Sequence, residues 1–178
     1  ESLGVDGLTG TESNPIDLTD PSAGNVTVSS GAPYVATFDP NHGFPAYNYK
    51  IFGGDDAPQN VSRNSGFYSY EAQSHGTSAK FVMSGFSPDA LPVSTALAQE
   101  FAVFDQFHCA HPGPSWPNQM MMMTGTAAGC TETGSDYGCT EEKKLFPQKT
   151  IFQSLLENGH EYKLIYNDSR NDMQIEYF

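Results

Sequence analysis

Apolar residues fall along this chain in short bursts, each stopped by Gly, Pro, Asn or Asp, and the spacing within each burst predicts its element. Ala32 to Phe38, rich in β-branched and aromatic residues, predicts a strand that ends at the turn Asp39-Pro40-Asn41-His42-Gly43. Val93, Leu97, Ala98 and Phe101 recur at helical spacing and predict a helix with one buried face. Phe101-Ala102-Val103-Phe104-Asp105 then reads as a buried strand of a parallel sheet. A helix from Ser115 to Thr124 follows, with Ser115 as its N-cap and Pro117 tolerated in the first turn. Thr150 caps a further helix through Ile151, Phe152, Leu155 and Leu156, Gly159 takes the left-handed position after it, and Glu161 to Tyr166 predicts a strand.

The first thirty residues and the stretch from Gly53 to Gly76 are polar and turn-rich, and are expected as loop. Residues 1–90 are therefore loop-rich, about 92–126 form a β-loop-α unit, and about 150–167 form a helix-strand unit. Helices alternating with short buried strands predict an α/β sheet covered on both faces.

Composition narrows what such a sheet does. Eight basic against 21 acidic residues leave a net charge of −13, a field that repels nucleic acid. A phosphate substrate would then need a bound cation or a focused set of donors. No apolar run approaches the roughly 20 residues of a membrane-spanning helix, so the segment is expected to be soluble. The start, Glu1-Ser2-Leu3-Gly4, shows no signal peptide, and the chain is expected to begin within a domain or after processing. Sequons at Asn25, Asn60 and Asn167 are candidate glycosylation sites. Cys130 and Cys139 flank a Gly/Ser/Thr-rich stretch that either closes as a disulfide or carries two ordinary thiols, while Cys109 suits a buried, inert thiol.

Ligands in α/β sheets gather at strand ends, where helix N-termini present unpaired N–H groups. Ser115 opens a helix at such a place and is the strongest nucleophile candidate, since the dipole favours its alkoxide; the plain alternative is a helix cap. His108 and His111 are spaced as weak metal ligands or as hydrogen-bonded loop histidines, and Met120 to Met123 suit core packing.

A collinear set of motifs then carries a resemblance. Val5 to Asn14, Asp39-Pro40-Asn41-His42-Gly43, Ser84-Gly85-Phe86, Glu100 to Asp105, Pro114-Ser115-Trp116-Pro117-Asn118, Thr124-Gly125-Thr126 and Phe146 to Phe152 run through nearly the whole chain. In this order they resemble the phosphoesterase family of plant non-specific phospholipases C, with bacterial phospholipases C and acid phosphatases as more distant relatives.

The resemblance implies an alkaline-phosphatase-like, three-layer α/β/α sandwich, of which residues 1–178 would be the N-terminal portion. It implies hydrolysis of a phospholipid or other phosphate ester through a phospho-serine on Ser115, which would also contact a divalent metal ion. Asn118 and His42 match family positions and are expected at the substrate. The remaining metal ligands are expected outside this segment, which alone would be inactive and would need the rest of its domain or a covering partner chain. Gln119 stands where the family usually has Arg, which leaves room for a catalytically inactive structural or binding protein that kept the fold. The sequons, the possible loop disulfide and the secretion of bacterial relatives point to the secretory pathway.

Overall fold

The computed structural model describes residues 7–55, 63–133 and 147–163. They divide between two compact units, one within Glu1–Asn41 and Pro45–His108, the other within His42–Phe44 and Cys109–Phe178.

The first unit opens with a hairpin where loop was expected: β1 (Ser13–Pro15) pairs antiparallel with β2 (Asn25–Thr27), with Asn14 opposite Val26. Three-residue strands are too short to print an alternating pattern, and the Ile16 N–H to Gly24 carbonyl bond extends this pairing. Next, β3 (Ser29–Ser30) pairs in parallel with β4 (Ser84–Gly85). The strand expected over Ala32 to Phe38 does not form. Pro33 has no N–H for a ladder, and side chains hold the segment instead: Tyr34 packs on Phe86 at 5.3 Å and donates to the Ala90 carbonyl at 3.0 Å.

Helix α1 (Phe44–Phe52) carries Pro45 in its first turn, and α2 (Phe67–His75) lies within a stretch expected as loop. The two approach so closely that a Cβ on Gly66 would sit 2.5 Å from the Tyr49 carbonyl oxygen and 2.9 Å from Lys50 Cα. Glycine at 66 permits that crossing. Gly66 offers α2 no side-chain cap, and buried Asn14 replaces it. Asn14 Oδ1 accepts from the N–H groups of Phe67 (2.9 Å) and Tyr68 (3.2 Å), while Nδ2 donates to the Asn64 carbonyl at 3.0 Å. The buried residues of α2 are Tyr68, Ser69 and Glu71, so no apolar stripe marked it in the sequence.

Helix α3 (Pro92–Glu100) forms where expected, but none of its residues is buried. Phe101 to Asp105 is exposed and irregular rather than a buried strand, and Cys109 is likewise exposed. Among the described residues the sheets have two strands each, and mixed helix and strand content is compatible with an α/β fold.

In the second unit α4 (Ser115–Thr124) packs against α5 (Ile151–Glu157). Pro117, Met120 and Met123 form the buried face of α4, while Met122 is exposed, so only part of the methionine run fills the core. Thr150 caps α5 in a reciprocal capping box with Gln153, and Gly159 follows at φ 76°, both as expected. Residues 161–163 form no strand, and 164–166 lie outside the described residues. Among the described residues no helix is long and apolar enough to cross a membrane.

Candidate functional site

Pro114, in extended conformation, is the N-cap of α4, which places Ser115 as the first helical residue rather than as the cap. The distinction changes its chemistry. A capping serine spends its oxygen on backbone N–H groups, whereas Ser115 is exposed to solvent at the positive end of the helix. Trp116 N–H reaches Thr133 Oγ1 only at 3.4 Å, and Pro117 has no N–H to offer. An anionic group approaching this end meets a favourable dipole.

The loop leading to Ser115 is locked from within α4. Asn118 Oδ1 accepts the His111 N–H at 3.0 Å; its Nδ2 reaches the carbonyls of His111 (3.0 Å), Pro114 (3.0 Å) and Gly113 (3.3 Å). Asn118 was expected to donate to a phosphate oxygen. Its two amide protons are instead shared among three loop carbonyls, so it orders the loop that carries Ser115.

The His111 ring is fastened in turn: Nε2 lies 3.1 Å from the Thr131 carbonyl, and the ring stacks on Phe44 at 5.1 Å and 14°. Gly113 passes beneath it so tightly that a Cβ there would fall 2.6 Å from Cδ2. Phe44 N–H donates to Glu132 Oε1 at 2.6 Å, which ties the His42–Phe44 segment to the stretch after Cys130. His42, two residues before Phe44, is exposed in this same unit. His111 is therefore a hydrogen-bonded loop histidine, and His108 is exposed.

No group of three His, Cys, Asp or Glu side chains among the described residues is placed to hold a metal ion. Cys130 is buried, and its expected disulfide partner Cys139 lies outside the described residues, as do Asn60 and Asn167. Asn25 is exposed on β2.

Within the N-terminal motif, Glu12 closes a small turn. The Thr9 backbone N–H is the largest of several donors, with the Thr9 hydroxyl and Gly10 N–H among the rest, that hold its carboxyl at about 2 against an ordinary 4.5. Asp17 is also lowered, chiefly by the Thr19 hydroxyl and then by its N–H. A groove of about 630 Å³ runs between Leu8, Gly10, Ser29, Met83 and Phe86, and none of the site residues expected from sequence lines it. Nothing local in the sequence marks Phe44, Thr131 and Glu132, because their contacts span 20 to 88 positions.

Comparison with known proteins agrees with the resemblance. The model of the Phosphoesterase family matches residues 2–178. The chain is 40% identical over 164 residues to non-specific phospholipase C1 of Arabidopsis thaliana, covering 92% of this chain and 30% of that protein. Non-specific phospholipases C6 and C3 of the same plant are each 32% identical, over 97% and 94% of this chain and 32% of their own lengths. The chain thus spans about a third of the length of these relatives. With the family model matched over residues 2–178, the chain belongs to the phosphoesterase family.

Proposed function

We propose that the full-length protein hydrolyses phosphate esters, with phospholipids cleaved in phospholipase C fashion as the substrate class. What supports this reading is the exposed Ser115 hydroxyl at the first residue of α4, on a loop locked by Asn118. Ser115 Oγ bonds to phosphorus as the bond from phosphorus to the diacylglycerol oxygen breaks; the serine proton passes to a base, and the leaving oxygen takes up a proton. Water then attacks phosphorus, the bond to Oγ breaks, and the phosphorylated headgroup leaves with Ser115 restored. His42 meets the substrate in this reading, and Asn118 acts through the loop. A divalent ion would supply charge stabilisation at phosphorus; its ligands would come largely from beyond the described residues, with Ser115 Oγ as a contribution from this chain. The complete domain takes the three-layer α/β/α form.

The test is Ser115→Ala in the full-length protein, assayed on phosphatidylcholine vesicles. Loss of at least about 100-fold in kcat is expected, on the scale of a missing catalytic group, and undiminished hydrolysis would remove Ser115 from the mechanism. Gln119, in the place of the family's usual Arg, favours a second reading as a binding protein. Phospholipid binding without turnover by the wild type would select it. We also place the protein in the secretory pathway, with a glycan on exposed Asn25 and a Cys130–Cys139 disulfide; intact mass before and after deglycosylation and reduction decides both.

A further inference from the structure

Both backbone polar groups of Asn41 end on one buried ion pair. The Asn41 N–H donates to Glu71 Oε1 at 3.0 Å, and Lys50 Nζ donates to the Asn41 carbonyl at 2.5 Å. Lys50 and Glu71 meet at 2.6 Å with side chains only 5% and 2% exposed. Three residues earlier Phe38 stacks on the His75 ring at 3.6 Å, and His75 Nε2 lies 3.9 Å from the second oxygen of Glu71. The turn from Phe38 to Asn41 is thereby fastened to α1 through Lys50 and to α2 through Glu71 and His75.

Stability alone gives no reason for charges at this place. Taking an ion pair out of water is costly, and an apolar pair of similar volume commonly holds two helices as well or better. An apolar pair cannot bond the N–H and carbonyl of Asn41. That carbonyl belongs to the planar peptide joining Asn41 to His42, so fixing its oxygen fixes the plane from which His42 departs. We propose that Lys50 and Glu71 are positioning residues that set the Asn41–His42 peptide and so present His42 to the phosphate ester. The proposal rests on the functional reading above, in which His42 meets substrate.

The deciding experiment uses the full-length protein with Lys50→Met and Glu71→Leu combined, an apolar pair of similar size. The urea midpoint is expected to fall only slightly, because the buried charges go together and the exposed Asn41 groups turn to water. On phosphatidylcholine vesicles kcat should fall about 10- to 100-fold with KM within about twofold, the scale of a misplaced group. The same pair introduced beside His42→Ala should lower kcat no further. A kcat retained along with the midpoint, or an undiminished loss in the absence of His42, would overturn the proposal. Should the combined variant not fold, Glu71→Gln keeps an acceptor for Asn41 N–H and should retain more kcat than Glu71→Leu; equal losses count against the role. Amide exchange over residues 38–43 reads the tether without any turnover. Faster exchange at Asn41 in the variants is expected even if the wild type hydrolyses nothing, in which case the functional reading falls and the tether stands. Unchanged exchange would overturn the tether itself.

Discussion

Asn118 grips His111 by both sides of its backbone, Oδ1 accepting the N–H and Nδ2 donating to the carbonyl, each at 3.0 Å. The six residues between them include Ser115, so one amide side chain in the first turn of α4 closes the loop that carries the candidate nucleophile. Because Asn presents an acceptor and two donors at once, neither Asp nor Leu of similar size can repeat the contact.

Replacing Asn118 should therefore damage both stability and turnover. Asn118→Ala leaves part-buried loop groups unpaired, at a cost of about 1–3 kcal/mol. Asn118→Asp keeps the acceptor for His111 N–H but sets a carboxylate against the three carbonyls, and should be no better. Urea unfolding of the full-length variants checks the first effect; kcat on phosphatidylcholine, falling more than KM rises, checks the second.

Gly113 lies against the ring of the same histidine, and a Cβ would approach Cδ2 to 2.6 Å and Nε2 to 2.7 Å. The ring has little room to give way, being stacked on Phe44 and bonded to Thr131. Gly113→Ala is expected to destabilise by about 1–3 kcal/mol, the usual cost of overpacking. Adding His111→Ala removes the clash, so the double variant should lose less than the sum of the singles. Strict additivity in urea midpoints would show that the ring is not what the methyl group meets.

These contacts mark where the chain's local chemistry stops being readable. The α5 cap is legible because Thr150 and Gln153 are three residues apart and satisfy each other. The helix over α4 is legible too, although Ser115 sits one position inside it. Helix α2 is hidden for a physical reason: its buried side chains are Tyr68, Ser69 and Glu71, and its cap is Asn14, more than fifty positions away. Polar burial of this kind leaves no apolar period to find. Asn118 shows the same limit at the site, since its residue type suits either a phosphate or a loop and only the geometry distinguishes them.

Acid should weaken the protein through Glu12. Its carboxyl lies at about 2 when folded and at the ordinary 4.5 when free of its donors, so the folded state holds the charged form more firmly. A depressed carboxyl contributes stability that is fully present above the unfolded value and is lost as pH falls from about 4.5 through 2. Asp17 acts in the same direction. Urea midpoints of the full-length protein should fall across this window, and Glu12→Gln should flatten the curve. The variant should be the weaker protein at about pH 5 and close the gap at about pH 2. Parallel curves would mean that the Thr9 and Gly10 donors do not favour the charged carboxylate.

Phe101, Phe104 and Phe107 are 72%, 80% and 78% exposed, and Val93 and Leu97 on α3 are exposed as well. Burying one such side chain is worth about 1.5–3 kcal/mol. Several together rival the 5–15 kcal/mol or so that separates a folded domain from its unfolded chain. We expect residues 1–178 by themselves to lack a cooperative urea transition and to be cleaved by chymotrypsin between Phe101 and Phe107. The full-length protein is expected to resist cleavage there, with the remainder of the domain, or a partner in its place, covering these side chains. Phe104→Ser separates the two states. It should leave the isolated segment unchanged, since that residue already faces water, yet destabilise the full-length protein by about 1.5–3 kcal/mol. A segment that unfolds cooperatively as a monomer, together with a full-length protein indifferent to Phe104→Ser, would show that this surface needs no cover.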